Sequence, residues 1–197
     1  WARLRRYQIL MAFARDRQAA ILFAHHAGDQ AETIAMRLLR GSGLVGLAGI
    51  PASRIQHGIT ISRPLLRWSH DELLRVCCLF GYVFEDDPSN KDRQFERVRI
   101  RQLLAHLAQG GDGPSSDQLC RLGAVSAKLS KAASTANERT LEKAVEWHAA
   151  GYATIMMRHL ANLPKFRFAL LMRRIIMSIS GSCYGPSGTA LEELRNR

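Results

Sequence analysis

One segment near the start of the chain, Ala24–Gly43 (AHHAGDQAETIAMRLLRGSG), most constrains the fold. It follows a strand-like apolar run at 20–23 and continues as an amphipathic helical pattern, so it predicts a β-strand that leads into an α-helix. In open α/β sheets, ligands bind beyond the carboxyl ends of the strands, at the loops that enter helices. The polar residues at this junction are His25, His26, Asp29, Gln30 and Glu32. Such a cluster between two apolar segments indicates a chemical function.

The composition favours a globular protein that binds a polyanion. The chain has 197 residues, 47% of them hydrophobic, and a net charge of +11. Because this charge concentrates polyanions, nucleic acid is the leading partner class, and an anionic membrane surface is the alternative. No apolar run approaches the ~18 residues of a membrane-spanning helix, and the basic start lacks a signal-peptide cleavage site. The cysteines Cys77, Cys78, Cys120 and Cys183 lack metal-ligand spacing, which predicts reduced thiols in a cytoplasmic protein.

The periodicity predicts an α/β part over residues 1–108, with a parallel sheet and flanking helices, and an all-α part over 115–197. A Gly-rich stretch at 109–114 is the predicted linker. Ser69 and Glu72 predict a capping box at the start of one helix. The predicted helices cover 2–16, 29–40, 69–80, 92–108, 115–149, 164–179 and 187–196, and the predicted strands lie near 20–24, 58–62 and 82–84, with 153–157 as a non-helical exception.

Asp29 and Glu32 allow two interpretations. With Asp29 as the N-cap and Glu32 three residues later, the pair fits a capping box, which is a structural role. A capping box needs no histidine, however, and two imidazoles at the end of a buried strand are costly without a function. Carboxylates at this spacing share one helix face, where they can bind Mg²⁺ or accept a proton. His25 or His26 can donate to a phosphate or a developing negative charge.

A basic element follows an acidic turn at 85–90. Arg93, Arg97 and Arg101 recur every four residues and predict one arginine stripe on a helix. A solvated basic face is the structural alternative, but the overall positive charge favours phosphate contacts. Phe95 is assigned to the core rather than to stacking on a base.

Together these segments resemble one family, the tRNA(Ile)-lysidine synthases of the PP-loop ATP-pyrophosphatase superfamily. Four matching segments in the family's order and spacing carry the resemblance: HHAGDQAET at 25–33, RLLRGSGLVGLAGI at 37–50, RPLL at 63–66 and EDDPSNKDRQFERVRIR at 85–101. The resemblance implies a Rossmann-like PP-loop ATPase domain. It also implies an enzyme that uses ATP to adenylate C2 of the wobble cytidine in tRNA(Ile) with a CAU anticodon. L-lysine then displaces AMP to give lysidine.

The resemblance implies roles for individual residues. Asp29, Glu32 and His26 match the family's active-site motif and are assigned to catalysis, with Asp29 and Glu32 as candidate Mg²⁺ ligands. Residues assigned to substrate and tRNA binding are His25, Arg40, Arg63, Arg97 and Arg101. ATP and Mg²⁺ are the implied cofactors, tRNA(Ile) and L-lysine are the implied partners, and 115–197 is the implied tRNA-binding or linker domain. No membrane partner is expected, and a homodimer stays open because an exposed sheet edge promotes association.

The chain departs from the family pattern in three respects. Gly28 stands where many members have Asp, and Val98 replaces an Asn often found between the two arginines. The family's SGGxDS pyrophosphate loop does not occur in these residues, and the chain opens on Trp1 with a helical pattern already under way. We therefore expect a fragment that holds the C-terminal half of the catalytic domain and the helical domain after it. Such a fragment should lack lysine-transfer activity on its own.

Two other functions are compatible with the residues. The first is a noncatalytic basic RNA-binding module in which the acidic motif only caps a helix. Substitution of Asp29 and Glu32 separates it from an enzyme, because a cap loses stability and a catalytic pair loses turnover. The second is a metal-dependent phosphohydrolase that uses the His-His…Asp cluster, which would leave the remaining matched segments unexplained.

Overall fold

The computed structural model of the chain describes residues 2–83, 90, 92–111, 113–182 and 185–196. It divides into two compact units, Trp1–Ala127 and Lys128–Arg197. Apart from Asn90, the predicted acidic turn at 85–90 lies outside the described residues, as do Phe84 and Cys183. The elements in chain order are α1 (Ala2–Asp16), β1 (Ile21–Leu22), α2 (Ala27–Leu39), α3 (Leu44–Leu47), β2 (Ser53–Gln56), β3 (Ile59–Ser62), α4 (His70–Leu79), α5 (Glu96–Gly110), α6 (Ser116–Ala144), β4 (Val145–His148), β5 (Tyr152–Ile155), a 3₁₀ turn (Met157–His159), α7 (Lys165–Ser180) and α8 (Gly188–Asn196).

The first unit contains a mixed three-stranded sheet in the order β1-β3-β2. β1 and β3 are parallel, with Ile21 opposite Ile61, which confirms the α/β class. The parallel pairing predicted for this part is confirmed for β1 and β3, while β2 pairs with β3 in the antiparallel sense, so the sheet is mixed. The two turn residues of this hairpin, His57 and Gly58, both have positive φ (49° and 80°). Such a turn matches the twist of antiparallel strands and closes a tight hairpin.

Two apolar clusters hold the first unit together. In one, α1 packs on the sheet through the buried residues Met11, Ala14, Ile21, Ile59 and Ile61. The predicted helix over 2–16 is therefore confirmed, and its inner face is the one that carries Met11 and Ala14. In the other cluster, α2 packs on α5 and on the start of α6; its buried members are Ala31, Ile34, Ala35, Ile100 and Leu119. This second cluster fixes the helices that carry the candidate site.

The long helix α6 begins within the first unit. Leu119 is buried against α2 and α5, and the partly buried Cys120 donates its thiol hydrogen to the Ala27 carbonyl at 3.5 Å. Because these contacts hold the first turns of α6, the predicted linker at 109–114 lies inside this unit, and the division falls after Ala127. Cys77, Cys78 and Cys120 are free thiols. Within the described ranges, no helix is long and apolar enough to cross a membrane.

The second unit is mostly helical but also contains a β-hairpin. α6 ends at Ala144, and β4 pairs with β5 in the antiparallel sense, with Val145 opposite Ile155. The predictions of an all-α part and of a helix continuing to 149 are therefore corrected. Val145, Trp147, Tyr152 and Ile155 are strand-favouring residue types, and Gly151 supplies positive φ in the turn between the strands. The core of the unit consists of Leu141, Ala144, Val145, Leu160, Phe168, Leu171, Met172, Ile175 and Leu191.

The capping box predicted at the start of α4 is confirmed. The Ser69 N–H and hydroxyl both donate to Glu72 Oε2 at 2.7 Å, and the Glu72 N–H donates to Ser69 Oγ at 3.2 Å. The hydrogen bonds from the Ser69 backbone and side chain lower the pKa of Glu72 below its ordinary value. The predicted strand at 82–84 is wrong for its described residues, because Tyr82 and Val83 have no strand partner.

This capping box predicts a pH-dependent contribution to stability. Because the folded-state pKa of Glu72 is lowered, the stabilisation is present above the ordinary carboxyl pKa and is lost as pH falls through the lowered value. We expect Glu72→Ala to lower the melting temperature more at pH 7 than at pH 3. Asp71→Ala is the matched control, since Asp71 lies in the same turn outside the capping box. An equal decrease at both pH values for Glu72→Ala would contradict the proposed cause.

Candidate functional site

The candidate site begins with the cap of α2. His26 is the N-cap residue: its Nδ1 accepts from the Gly28 N–H at 3.0 Å, and its own N–H donates to Asp29 Oδ2 at 3.0 Å. The prediction that Asp29 is the N-cap with Glu32 as its partner is therefore wrong. The histidine itself forms the cap, because an imidazole nitrogen can accept the same hydrogen bond as a serine oxygen. His26 Nε2 also lies 3.6 Å from Asp29 Oδ2.

The glycine at position 28 fits this cap closely. A Cβ atom placed on Gly28 would lie 2.7 Å from His26 Cε1 and 3.0 Å from His26 Nδ1. Any side chain here would require the imidazole ring to move away from the Gly28 N–H. The departure from Asp at this position is thus compatible with a histidine ring that folds over the helix start.

Glu32 lies buried between two arginines of α5. Only 3% of its surface is exposed. Arg101 Nε donates to Glu32 Oε1 at 2.6 Å, and Arg97 Nε lies 3.1 Å from Glu32 Oε2. Arg97 Nη2 also donates to Thr33 Oγ1 at 3.1 Å and lies 3.9 Å from Asp29 Oδ1. The packing of α5 on α2 therefore joins both predicted carboxylates to both predicted arginines in one charged cluster.

The predicted stripe of three arginines is not formed. Arg93 precedes α5, and its Nε donates to Gln102 Oε1 at 2.9 Å. Arg97 and Arg101 do lie on α5, where they contact the acidic cluster. Phe95 is the N-cap residue of α5 and is 55% exposed, so its assignment to the core is wrong. Val98 is buried, which explains why an apolar residue is suitable between the two arginines.

Most of the predicted binding residues meet in a second feature, which we call the arginine pocket. It has a volume of about 330 Å³, and its basic lining residues are His25, Arg37, Arg40, Arg54, Arg63 and Arg97. Four of these residues, His25, Arg40, Arg63 and Arg97, are among those predicted from the sequence to bind substrate or tRNA. Arg37 and Arg54 are not among the predicted binding residues. Arg101 is not part of this lining. It borders a smaller cavity of about 210 Å³ together with Glu32.

Backbone carbonyls hold two side chains of the arginine pocket, those of Arg37 and Arg63. Arg63 is almost fully buried and donates from Nη1 to the Pro51 carbonyl at 2.8 Å. Arg37 donates to the carbonyls of Gly46 and Gly49, and burial lowers the pKa of its guanidinium. Arg40 forms an exposed ion pair with Glu96. Arg37 and Arg63 are thus cations of the pocket lining that backbone carbonyls hold in place.

The side chain of Gln30 holds the loop at 46–51 against α2 by two hydrogen bonds. Its Oε1 accepts from the Ile50 N–H at 2.7 Å, and its Nε2 donates to the Ile50 carbonyl at 3.2 Å. Gly49 has a φ of +72°, and a Cβ there would lie 2.6 Å from Gln30 Oε1. Only glycine satisfies both requirements without displacing the amide. Gln30 therefore positions the loop whose carbonyls bind Arg37 and Arg63.

The predicted pair of Mg²⁺ ligands fits a divalent cation poorly in this arrangement. Both oxygens of Glu32 face guanidinium groups, and Asp29 Oδ2 accepts the His26 N–H. Mg²⁺ usually binds in octahedral geometry through one or two carboxylates, with waters and substrate phosphates as its other ligands, so a carboxylate that holds it must have an oxygen not already engaged by a guanidinium group. Across the described part of the chain, no group of three or more His, Cys, Asp or Glu side chains is placed to hold a metal ion. We therefore derive no chemical step through Mg²⁺.

The comparison with known families matches this region. The model of the PP-loop domain family matches residues 1–107, which include all of the cluster and pocket residues named above. This chain belongs to the PP-loop domain family. The PP-loop domain here comprises the sheet, α1 to α4 and most of α5. The site residues therefore lie in the part of the chain that the family shares.

Curated relatives extend the similarity beyond the PP-loop domain. The chain is 35% identical to the tRNA(Ile)-lysidine synthase of Methylobacterium nodulans over 188 residues, which cover 94% of this chain and 55% of the relative. It is 33% identical to the enzyme of that name from Ruegeria pomeroyi, over 98% of this chain and 45% of the relative. It is 30% identical to the Wolbachia pipientis relative of the same name, over 100% of this chain and 45% of the relative. The chain spans about half the length of these relatives.

Proposed function

We propose that the protein containing this chain is an ATP-dependent ligase that attaches L-lysine to C2 of the wobble cytidine of tRNA(Ile) with a CAU anticodon. The observation that carries the proposal is the position of Arg97. It lines the arginine pocket and, at the same time, contacts the carboxylates of Glu32 and Asp29. A cationic pocket suited to phosphates therefore adjoins a group of acids, of which Asp29 can accept a proton and has His26 beside it. Membership of the PP-loop family and the names of the relatives support the same reaction.

The arginine pocket supplies what the first step requires. In that step the C2 oxygen of the cytidine attacks the α-phosphorus of ATP, the bond to the β-phosphate breaks, and pyrophosphate leaves. Negative charge develops on the phosphoryl oxygens, and guanidinium groups stabilise it best when they are already fixed in place. Arg63 and Arg37 meet this condition because backbone carbonyls hold them. We assign them, with Arg97, Arg40 and His25, to phosphate binding on ATP or the tRNA.

The acidic cluster supplies what the second step requires. The amine of lysine attacks C2, AMP leaves, and the new C–N bond becomes stable once the nitrogen has lost a proton. We assign that proton to the carboxylate of Asp29. His26 Nδ1 accepts the Gly28 N–H, so Nε2 carries the ring hydrogen; it lies 3.6 Å from Asp29 Oδ2, towards which it orients that hydrogen. Glu32 is assigned a positioning role, because both of its oxygens face the guanidinium groups of Arg97 and Arg101. ATP serves as co-substrate, and Mg²⁺ stays a prediction.

The noncatalytic RNA-binding module remains the second candidate. The cap between His26 and Asp29 favours it, because these two residues already have a structural role at the start of α2. On this alternative, the arginine pocket binds RNA phosphates and the acidic cluster only joins α2 to α5. The two candidates differ in whether any covalent product forms.

Transfer of labelled lysine to a tRNA transcript tests the proposal. The assay uses the full protein encoded by the gene that contains these residues, with ATP and Mg²⁺. We expect incorporation into a tRNA(Ile) transcript with a CAU anticodon and none into a UAU control, because only the former has a cytidine at the wobble position. Tight binding of the CAU transcript without incorporation would instead support the noncatalytic module. The fragment expectation stays a prediction, tested by repeating the assay with residues 1–197 alone.

A further inference from the structure

A second cavity in the first unit adjoins the arginine pocket. This cavity, which we call the α2–α6 groove, has a volume of about 1120 Å³, and Gln30 is among its lining residues. Ile50, Pro51 and Arg63 line both the α2–α6 groove and the arginine pocket. The loop at 46–51 and Arg63 therefore form a partition between the two cavities.

α2 holds this partition from both sides. On the groove side, Gln30 Oε1 accepts from the Ile50 N–H at 2.7 Å, and Gln30 Nε2 donates to the Ile50 carbonyl at 3.2 Å. On the pocket side, Arg37 donates to the carbonyls of Gly46 and Gly49. Gln30 and Arg37 are two turns apart on the same face of α2. The loop therefore cannot move away from α2 without breaking one of these two sets of hydrogen bonds.

Arg63 is a buried cation whose position depends on this partition. Only 5% of its surface is exposed, and its Nη1 donates to the Pro51 carbonyl at 2.8 Å. Among the described residues, no carboxylate forms an ion pair with Arg63, and its Nε has no hydrogen-bond partner. A buried charge without a counter-ion is unfavourable. The loop carbonyl therefore holds an unpaired charge at the boundary of the two cavities, where a phosphate can supply the missing negative charge.

We propose that Gln30 is a positioning residue, which acts on the reaction through Arg63. Its amide fixes Ile50 and thereby keeps the carbonyl of the adjacent Pro51 where it binds the guanidinium. The inference rests on the proposed function, in which Arg63 stabilises the negative charge that develops on the phosphoryl oxygens. A cation held in place beforehand stabilises such charge better than one that must reorganise during the reaction. Gln30 thus influences the chemistry from the groove side of the partition, without lining the arginine pocket.

A glutamine amide suits this position because it accepts and donates at the same time. A glutamate could still accept the Ile50 N–H, but its second oxygen would face the Ile50 carbonyl, to which Gln30 Nε2 donates. Methionine has a similar length and lacks the amide, so Gln30→Met removes both hydrogen bonds without adding a charge. Gln8→Met is the matched control, since Gln8 is an exposed residue of α1.

A double-mutant cycle between Gln30 and Arg63 tests the proposal in the full protein, with ATP and Mg²⁺. Arg63→Met is the second variant, because it removes the charge and keeps an unbranched chain at the buried position. The measured quantity is the single-turnover rate of lysine transfer to the CAU transcript at saturating ATP and tRNA, so that slow variants stay measurable. We expect Gln30→Met to lower this rate by about tenfold or more when Arg63 is present. In the Arg63→Met background the same change should alter the rate by less than about twofold, because the residue through which Gln30 acts is gone.

A merely structural role predicts a different result. A glutamine that only stabilises the loop lowers the melting temperature but leaves the transfer rate unchanged at a temperature at which the variant is folded. Circular dichroism gives the melting temperature of each variant, and all rates are compared well below the lowest of them. The Gln8→Met control should keep the wild-type rate.

Gly49→Ala tests the same contact from the loop side. Gly49 has a φ of +72°, and a Cβ there would lie 2.6 Å from Gln30 Oε1, so the alanine displaces the amide. We expect about a tenfold lower rate with Arg63 present and less than about a twofold change in the Arg63→Met background. Gly43→Ala is the control, since Gly43 has a φ of −71° and none of the described residues lies within 4 Å of a Cβ added there.

The outcomes separate the inference from the proposed function. If the wild type transfers lysine and Gln30→Met has the wild-type rate, or the same fold-loss with and without Arg63, the inference is overturned and the proposed function stands. If the wild type transfers no lysine, the proposed function fails, and the cycle is measured on the Kd of the CAU transcript. Weaker binding by Gln30→Met only when Arg63 is present then supports the positioning role. Unchanged binding, or an equal loss in both backgrounds, overturns it.

Discussion

Replacing Glu32 by alanine is expected to destabilise the protein by about 2–3 kcal/mol and to lower lysine transfer by at least about 100-fold. Removal of one partner from a fully buried ion pair costs roughly 3–5 kcal/mol, because the remaining charge stays buried. Here the orphaned partners, Arg97 and Arg101, have side chains that are 34% and 46% exposed. Water can therefore solvate them in part, and the expected cost lies below that range.

The activity loss at Glu32 follows from the position of Arg97. Without the Glu32 carboxylate, the guanidinium that joins the arginine pocket to Asp29 loses its nearest anionic contact, at 3.1 Å. Urea denaturation measures the change in stability, and labelled-lysine transfer at saturating tRNA measures the change in activity. Glu32→Gln is the conservative comparison, since it keeps the shape and one acceptor oxygen. Wild-type transfer by a folded Glu32→Ala protein would contradict the positioning role.

The Asp29→Asn variant tests whether Asp29 only caps α2 or also accepts a proton in the reaction. An asparagine oxygen can still accept the His26 N–H, so the cap of α2 should survive with a stability change within about 0.5 kcal/mol. In the proposed reaction, a neutral amide cannot take the proton that is released when lysine attacks C2. Lysine transfer should therefore fall by about 100-fold or more in this variant. If transfer is unchanged, Asp29 is only a capping residue and the proton must go elsewhere.

The elements that the sequence predicts well are those with a strong local signal. α1, α7 and α8 repeat apolar residues at helical spacing, and α4 has a serine and a glutamate placed to cap it. Local patterns of this kind predict where a helix begins and ends without any knowledge of distant contacts. Their observed bounds lie within about one residue of those predicted, a margin that is usual at fraying helix ends.

The strands that the sequence misses depend on pairing between segments. β2 has the sequence SRIQ, which carries only one apolar residue. It pairs with β3 across a tight turn in which His57 adopts positive φ. Positive φ is uncommon outside glycine, so His57 gives only a weak turn signal. β4 directly follows a long helical pattern: α6 ends at Ala144, and the pairing with β5 begins at the next residue, Val145.

At the candidate site, too, the sequence predicts which residues are involved but not which residues they contact. The sequence identifies Asp29, Glu32, Arg97 and Arg101 as functional candidates but assigns the arginines to phosphates alone. In the structure Arg101 lies against Glu32, 69 positions earlier in the chain. Such a pairing arises from the packing of α5 on α2 through the buried cluster around Ile34 and Ile100, which local spacing does not reveal.

Replacing Ile34 by alanine should have an effect on stability that is as large as that at Glu32. Ile34 of α2 is fully buried against α5 and the start of α6. Truncation of such a side chain costs about 2–5 kcal/mol. Gly123 of α6 lies directly against it, because a Cβ there would be 2.5 Å from Ile34 Cδ1. We expect Gly123→Ala alone to be neutral or to destabilise by up to ~2 kcal/mol, since overpacking offsets the gain in helix propensity.

The double variant tests whether the start of α6 belongs to the first unit. Once Ile34 is alanine, the new methyl group of Gly123→Ala occupies vacated space instead of overlapping Cδ1. The double variant should therefore be more stable than the sum of the single variants predicts, by about 1 kcal/mol or more in urea denaturation. Gly123→Ala with Ile61→Val is the control pair and should be additive, because Ile61 belongs to the other apolar cluster. Additivity in both pairs would mean that α6 does not pack on α2 at this point, and the boundary would then move back towards 109–114.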